Sequence, residues 1–158
     1  MPSTSFPAAR MTPDPSAVGV VALADVVDRP ISIAECETHV ADDRFGAVVT
    51  FAGVVRNHDE GRGVLTLSYT AHPTAASVIA DVARDVAARF PDVSLAVLHR
   101  VGDLGIGDVA LAAAVASAHR APAFEAAGLL VDLVKERVPI WKEQSFDDGQ
   151  TEWVAALG

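Results

Sequence analysis

The firmest pattern lies between residues 73 and 90, where Ala75, Val78, Ile79, Val82, Val86 and Phe90 recur at steps of three and four while Asp81, Arg84, Asp85 and Arg89 take the other faces. That spacing predicts an amphipathic helix, closed by Pro91. A second helix is predicted over 122–137, with Phe124, Leu130, Val131 and Val134 facing inward and Pro139 ending it. Ser32 with Glu35 three residues later, just after Pro30, is a capping-box signature for a shorter helix reaching Val40. Apolar, β-branched runs at 18–27, 46–55, 64–69, 93–100 and 109–117 predict strands. Gly53, inside the second run, marks a bulge or a close backbone approach. The polar run 57–63 reads as a loop, so the strands flanking it are expected to pair as neighbours around a mobile tip. Residues 102–108 read as a glycine-rich turn, and the largely polar tail beyond Lys142 is expected to cross the surface with Trp153 as its anchor. Strands clustered with connecting helices, but without a regular βαβα rhythm, predict an α+β domain.

Composition narrows the function classes. The chain has 158 residues, 51% hydrophobic and 21% charged, enough for one domain with a substantial core and too few for two ordinary ones. Twelve basic against 21 acidic residues give a formal charge of -9, which argues against a protein that coats nucleic acid or an anionic membrane. Any anionic ligand must be held by a local basic cluster. Residues 1–17 are rich in Pro, Ser and Thr and are expected to form a disordered leader before a single domain over 18–158. The apolar stretch 17–24 is too short for a membrane span and is bracketed by Asp14 and Asp25, so it reads as a strand. The single cysteine, Cys36, excludes an internal disulfide framework, a thiolate-rich zinc site and an intrachain redox pair, and fits a reducing, cytoplasmic compartment. If the protein handles sulfur, the sulfur arrives from elsewhere.

Among residues able to carry chemistry, the two lysines stand out against ten arginines. Lys135 and Lys142 both fall in one short segment, around Pro139. A lysine in an arginine-preferring composition can mark a site that needs an amine able to lose its proton; composition by itself favours ordinary solvated surface. Lys135 falls on the last helical turn and Lys142 on extended chain beyond it, so the two amines can converge on one cleft, where repulsion and burial would lower a lysine pKa. His119 and Arg120 stand at a strand-to-helix junction, where they can bind phosphate with help from the helix N-terminus or serve as structural hydrogen-bond donors. Arg56 ends a buried strand, with Asp59 and Glu60 as surface ion-pair alternatives. His99 and Arg100 repeat the His-Arg pattern at another strand end and read as structural or interface residues. His58, Asp59 and Glu60 are consecutive and cannot all aim at one ion, so no metal site is predicted. Gly102, Gly105 and Gly107 lack the lysine and the following helix of a phosphate loop, and Cys36 lacks the cationic setting of an activated thiolate.

Three motifs read in order, Phe51-Ala-Gly53-Val-Val-Arg56-Asn57-His58, Ser117-Ala-His119-Arg120 with Phe124-Glu125-Ala126, and Lys135 with Pro139-x-Trp141-Lys142-Glu143, resemble the large, catalytic subunit of molybdopterin synthase over about 46–154. His99-Arg100-x-Gly102-x-Leu104 lies between them, and Thr70-Ala-His72-Pro-Thr74 departs from the family, which often has an aromatic and a methionine there. The resemblance implies an α/β hammerhead-type single domain with a mostly antiparallel sheet and flanking helices. It also implies a homodimer of this chain within a heterotetramer, each end binding a small ubiquitin-like sulfur-carrier subunit whose C-terminal Gly-Gly bears a thiocarboxylate. The implied reaction converts cyclic pyranopterin monophosphate to molybdopterin by inserting two dithiolene sulfurs, with no tightly bound cofactor and no metal. Carried over by position, Lys135 is the central catalytic amine and Lys142 a second amine for proton transfer or charge stabilisation. Arg56, His119 and Arg120 bind the pterin phosphate, while Val54, Val55, Glu143 and Gln144 line the pocket. Phe51, Phe124 and Trp141 are expected to support the walls of a groove for the partner's tail, with core packing as the alternative for each. Two other readings stand beside this one, a non-catalytic scaffold of the same fold and a lysine-dependent Schiff-base enzyme.

Overall fold

The computed structural model describes residues 18–59, 62–146 and 148–155, so the expected leader lies outside the described residues. Its first sheet is built from β1 (Val20–Val27), β2 (Ala47–Val54), β5 (Val93–Arg100) and β7 (Val109–Ser117), in the order β1-β5-β7-β2. β1 and β5 run parallel, and the other neighbours are antiparallel. Every residue of β5 from Val93 to His99 is buried, as is β7 from Ala110 to Ser117. The reason is a layer on each face of these central strands, which is why both read as near-continuous apolar runs rather than alternating ones. On one face Leu95, Val97, Leu111, Ala113 and Val115 pack against α2 (Ala75–Arg89) and α3 (Arg120–Arg137). On the other, the small side chains Ala96, Ala112, Ala114 and Ala116 admit the short α1 (Ile33–Val40) through Cys36 and Val40.

The helix signals translate with one change of partner. Ser32 caps α1 by accepting from the Glu35 N–H at 3.2 Å, but the Glu35 carboxylate pairs with Arg29 at 2.6 Å instead of closing the box. α2 buries Ile79, Val82, Ala83, Val86 and Ala87, the expected stripe. α3 buries Ala123, Ala126, Ala127, Leu130 and Val134, but Phe124 lies 63% exposed, contrary to the inward placement expected of it. Alanines, not the large apolar residues, provide the close contact, and they shift the buried stripe away from Phe124. Of two glycines in or beside the first sheet, Gly19 is required by close approach. A Cβ on Gly19 would lie 2.6 Å from the Phe90 carbonyl oxygen, while Gly53 precedes a register shift against β7 and lies against Leu111.

The second sheet corrects three expectations. Its order is β3 (His58–Asp59), β4 (Arg62–Ala71), β8 (Ile140–Phe146) and β9 (Thr151–Ala155), with β6 (Gly102–Leu104) also pairing with β4. The flanks of the polar run therefore do not pair: β2 belongs to the first sheet and β4 to the second. The tail is not a surface strap but a hairpin, β8 to β9, whose Phe146 is buried, while Trp153 is 61% exposed and anchors nothing. Residues 102–108 hold a strand as well as a turn, with Gly102 and Gly107 at φ of 95° and 88°. Polar strands such as β8 form because β4 offers a complete ladder of backbone partners, a long-range pairing that local composition does not announce.

Candidate functional site

α3 ends abruptly. The Val138 N–H donates to the Val134 carbonyl, Ile140 N–H to Val138 oxygen at 2.9 Å, and His72 N–H to the Pro139 oxygen at 3.0 Å. With Val138 and Ile140 both buried, this turn is pinned, and the chain passes directly from α3 into β8. Lys135, on the last helical turn, and Lys142, on β8, are thereby set near enough for the charge of Lys142 to act on Lys135.

Lys142 lies on the inner face of its strand. β8 alternates, with Ile140, Gln144 and Phe146 buried and Lys142 half-buried between them, while Trp141 is exposed. Across the ladder Leu67 opposes Gln144, Tyr69 opposes Lys142 and Ala71 opposes Ile140, and directly opposite residues share a face. Burial, with the Lys142 charge adding to it, lowers the Lys135 amine below the ordinary lysine value.

Two residues of the same cluster were read from the sequence as structural or not singled out. His99, at the end of β5, is 7% exposed, and its Nδ1 lies 2.9 Å from the Arg100 carbonyl oxygen. Burial takes its pKa down to about 4; the bond to Arg100 opposes that, and the Lys135 charge adds to it. Tyr69 meets the imidazole edge-on, with centroids 5.3 Å apart and planes at 76°. Burial pushes the Tyr69 phenol up from its ordinary value. Parity along β5 was the available signal for His99, since it continues the row Val93, Leu95, Val97 that faces the helices; the apolar run hid it.

The remaining expected residues divide between two ends of the helical layer. Val55 is buried against Leu67, Leu104 and Ala110, donating its N–H to the Asp108 oxygen at 3.0 Å, with exposed Arg56 following it. α3 returns antiparallel to β7, hence parallel to β2, so Val54, Val55 and Arg56 lie at the Lys135 end. His119 and Arg120 lie at the other end: His119 is the N-cap of α3, extended at φ −127° and ψ 149°, without a side-chain capping bond. Lys135 follows Arg120 by fifteen helical positions, roughly 22 Å along the axis. Ser117, buried with an unpartnered hydroxyl, lines the cavity beside His119, together with Arg44 and Phe45. Gln144 shares the inner face with Lys142, whereas Glu143 and Trp141 occupy the outer face of β8. Phe51 and Phe124 line one apolar groove between β2 and α3, which Trp141 does not reach. Cys36 is buried with its thiol pushed up to about 11, as suits an unreactive core residue. Among the described residues no three His, Cys, Asp or Glu side chains converge as metal ligands, and no helix is long and apolar enough to cross a membrane.

Comparison with known proteins matches this arrangement to one family. The profile described as MoaE protein matches residues 26–137. A molybdopterin synthase catalytic subunit from Halalkalibacterium halodurans is 37% identical over 82% of this chain and 83% of its own length. One from Rattus norvegicus is 32% identical over 96% of this chain and 81% of its own. The crystal structure of molybdopterin synthase from Staphylococcus aureus superposes with a TM-score of 0.78 at 32% identity, covering 83% of this chain and 96% of that one. With the α+β fold, the paired lysines and these likenesses in agreement, the chain belongs to the MoaE family.

Proposed function

We propose that the chain is the catalytic subunit of a molybdopterin synthase, converting cyclic pyranopterin monophosphate to molybdopterin with two sulfurs delivered on the thiocarboxylated Gly-Gly end of a small ubiquitin-like subunit. The observation that carries this reading is the pairing of Lys135 with Lys142, near enough for the charge of one to act on the other. A half-buried amine held below the ordinary lysine range has a larger uncharged fraction at neutral pH and can take up a proton as sulfur is transferred. The second amine, seven positions on in sequence, supplies positive charge for a thiocarboxylate and for negative charge that develops on the pterin. With its one thiol buried and raised in pKa, the chain needs a sulfur donor in trans, and a buried reduced thiol suits the cytoplasm.

Separation of the cationic residues supports the homodimer. β2 ends its sheet with Val48 and Val54 about half exposed, and beside it Phe124 stands over an apolar groove. A two-fold axis through the middle of β2 and α3 sets the α3 N-terminus of one copy beside the α3 C-terminus of the other. His119 and Arg120 of the second copy then join Arg56 and Lys135 of the first, giving the phosphate its cationic cluster on an otherwise acidic protein. The small subunits, one for each such site, complete the heterotetramer.

A reconstituted reaction tests this: purified chain, thiocarboxylated small subunit and cyclic pyranopterin monophosphate, with the dithiolene product oxidised to a fluorescent pterin. Product is expected only with all three components and is lost in a folded Lys135→Ala variant. Near-normal turnover by that variant overturns the assignment, and borohydride trapping of a carbonyl substrate without any gain from the small subunit would favour Schiff-base chemistry.

A further inference from the structure

Resting on that reading, we propose that Asp108 is a positioning residue for Arg56: its carboxylate closes the turn that grips Val55, and so fixes where the phosphate-binding arginine leaves the sheet. The ladder between β2 and β7 shifts register after Gly53 and ends at Val54, opposite Val109. Beyond it the 105–108 turn holds both backbone groups of Val55. The Val55 N–H donates to the Asp108 carbonyl oxygen at 3.0 Å, and the Gly107 N–H donates to the Val55 oxygen at 2.9 Å. That oxygen belongs to the planar peptide that begins Arg56, so holding it fixes the plane from which the arginine starts. The turn itself is closed by Asp108. Its Oδ2 accepts from the Gly105 N–H at 2.9 Å, while its own N–H donates to the Gly105 oxygen at 3.1 Å. Arg100, whose side chain is 16% exposed, donates from Nη1 to the same carboxylate oxygen at 3.4 Å and from Nη2 to the Asp103 oxygen at 3.3 Å.

The same segment is anchored in the other sheet. β6 pairs with β4 so that Gly102 stands opposite Tyr69 and Leu104 opposite Leu67, and on the far side of β4 Tyr69 opposes Lys142. Val55, Leu67, Leu104 and Ala110 pack together as one small apolar cluster. Residues 102–108 therefore hold, at one end, the strand that stands across from Lys142 and, at the other, the peptide that begins Arg56. A displacement of that peptide carries over to the guanidinium, whereas a hydrogen bond to a phosphate oxygen holds only within a few tenths of an ångström. A carboxylate suits the task, because an oxygen that only accepts can take the Gly105 N–H and an Arg100 N–H together. Gly107 reaches its φ of 88° without steric cost, which lets its N–H turn toward Val55.

Two measurements on the full chain test the proposal, one of them without any ligand. Amide hydrogen exchange, read by NMR at Val55, is expected to be about tenfold faster in Asp108→Ala. It should stay close to wild type in Asp108→Asn, which keeps an oxygen for the Gly105 N–H. Calorimetric titration with cyclic pyranopterin monophosphate is expected to show binding about tenfold weaker in Asp108→Ala, again restored by Asp108→Asn. In an Arg56→Ala background the Asp108→Ala change should add less than about twofold, because the residue it acts through is already gone. Unchanged Val55 exchange in folded Asp108→Ala overturns the proposal. So does unaltered affinity for the pterin, or a loss as large with Arg56 removed as with it present. Should Asp108→Ala fail to fold, Gly107→Ala strains the same clamp at its other donor, with open space for the added methyl group, and is read in the same ways. A wild type that binds no pterin sinks the synthase reading and leaves the exchange result to decide the clamp. Pterin bound equally well by wild type and Asp108→Ala does the reverse.

Discussion

Acid should weaken this protein through His99. Its folded pKa of about 4 lies below the 6.5 of an unperturbed imidazole. Between those values the unfolded chain binds more protons than the folded one. Stability from this group is therefore complete above about pH 6.5 and is lost as the pH falls toward 4. The 2.5-unit gap corresponds to about 3 kcal/mol in all, of which about 2 kcal/mol is lost by pH 5. That is a large part of a typical folding free energy of roughly 5–15 kcal/mol. Glu35 and Asp42, whose carboxyl pKa values are lowered by Arg29 and Arg44, respond at lower pH. The assay is urea unfolding at pH 7.5, 6.5, 5.5 and 5.0, wild type against His99→Gln, which cannot titrate and shares every other group. The stability difference between the two should close, or reverse in favour of the variant, by about 2 kcal/mol across that range, equivalent to about 1 M in urea midpoint. A difference that stays constant with pH would refute the reasoning, since it would mean that the ring takes up its proton as readily folded as unfolded.

Other predictions address the second sheet and the exposed helix face. Phe146→Ala removes a side chain only 2% exposed, and should cost about 3–5 kcal/mol by thermal or chemical denaturation, where a surface tail would lose almost nothing. Phe124→Glu alters a 63% exposed position, so monomer stability should change by less than about 0.5 kcal/mol. Sedimentation should nonetheless show dimer lost, with sulfur transfer falling alongside it; a stable, fully active dimer would count against the two-fold arrangement.

Much of the fold was legible because its signals are local. The stripe from Ala75 to Val86, the Ser32 cap and the glycine at 53 each express a rule that acts within a turn or across one bulge, and each appears in place. Lys135 and Lys142 drew attention for a different reason: they are the two lysines among ten arginines, although composition by itself favours ordinary solvated surface for both. Phe124 was misread because hydrophobicity does not say whether a face is covered by the same chain or left exposed.

What the amino-acid sequence determined by itself was therefore the α+β class, the three helices and the strands β1, β2, β4, β5 and β7. Tertiary structure alone decided three things. It sent β2 and β4 to different sheets and turned the polar tail into β8 and β9, because strand partners are chosen by ladders of backbone bonds between distant segments. It placed His119 and Arg120 at the opposite end of α3 from Lys135, because a helix holds its termini apart by its own length. And it brought Tyr69, His99 and Lys142 into the neighbourhood of Lys135, a cluster assembled from four segments that no spacing along the chain connects, and in which burial is the largest influence on the proton affinity of His99 and Lys135.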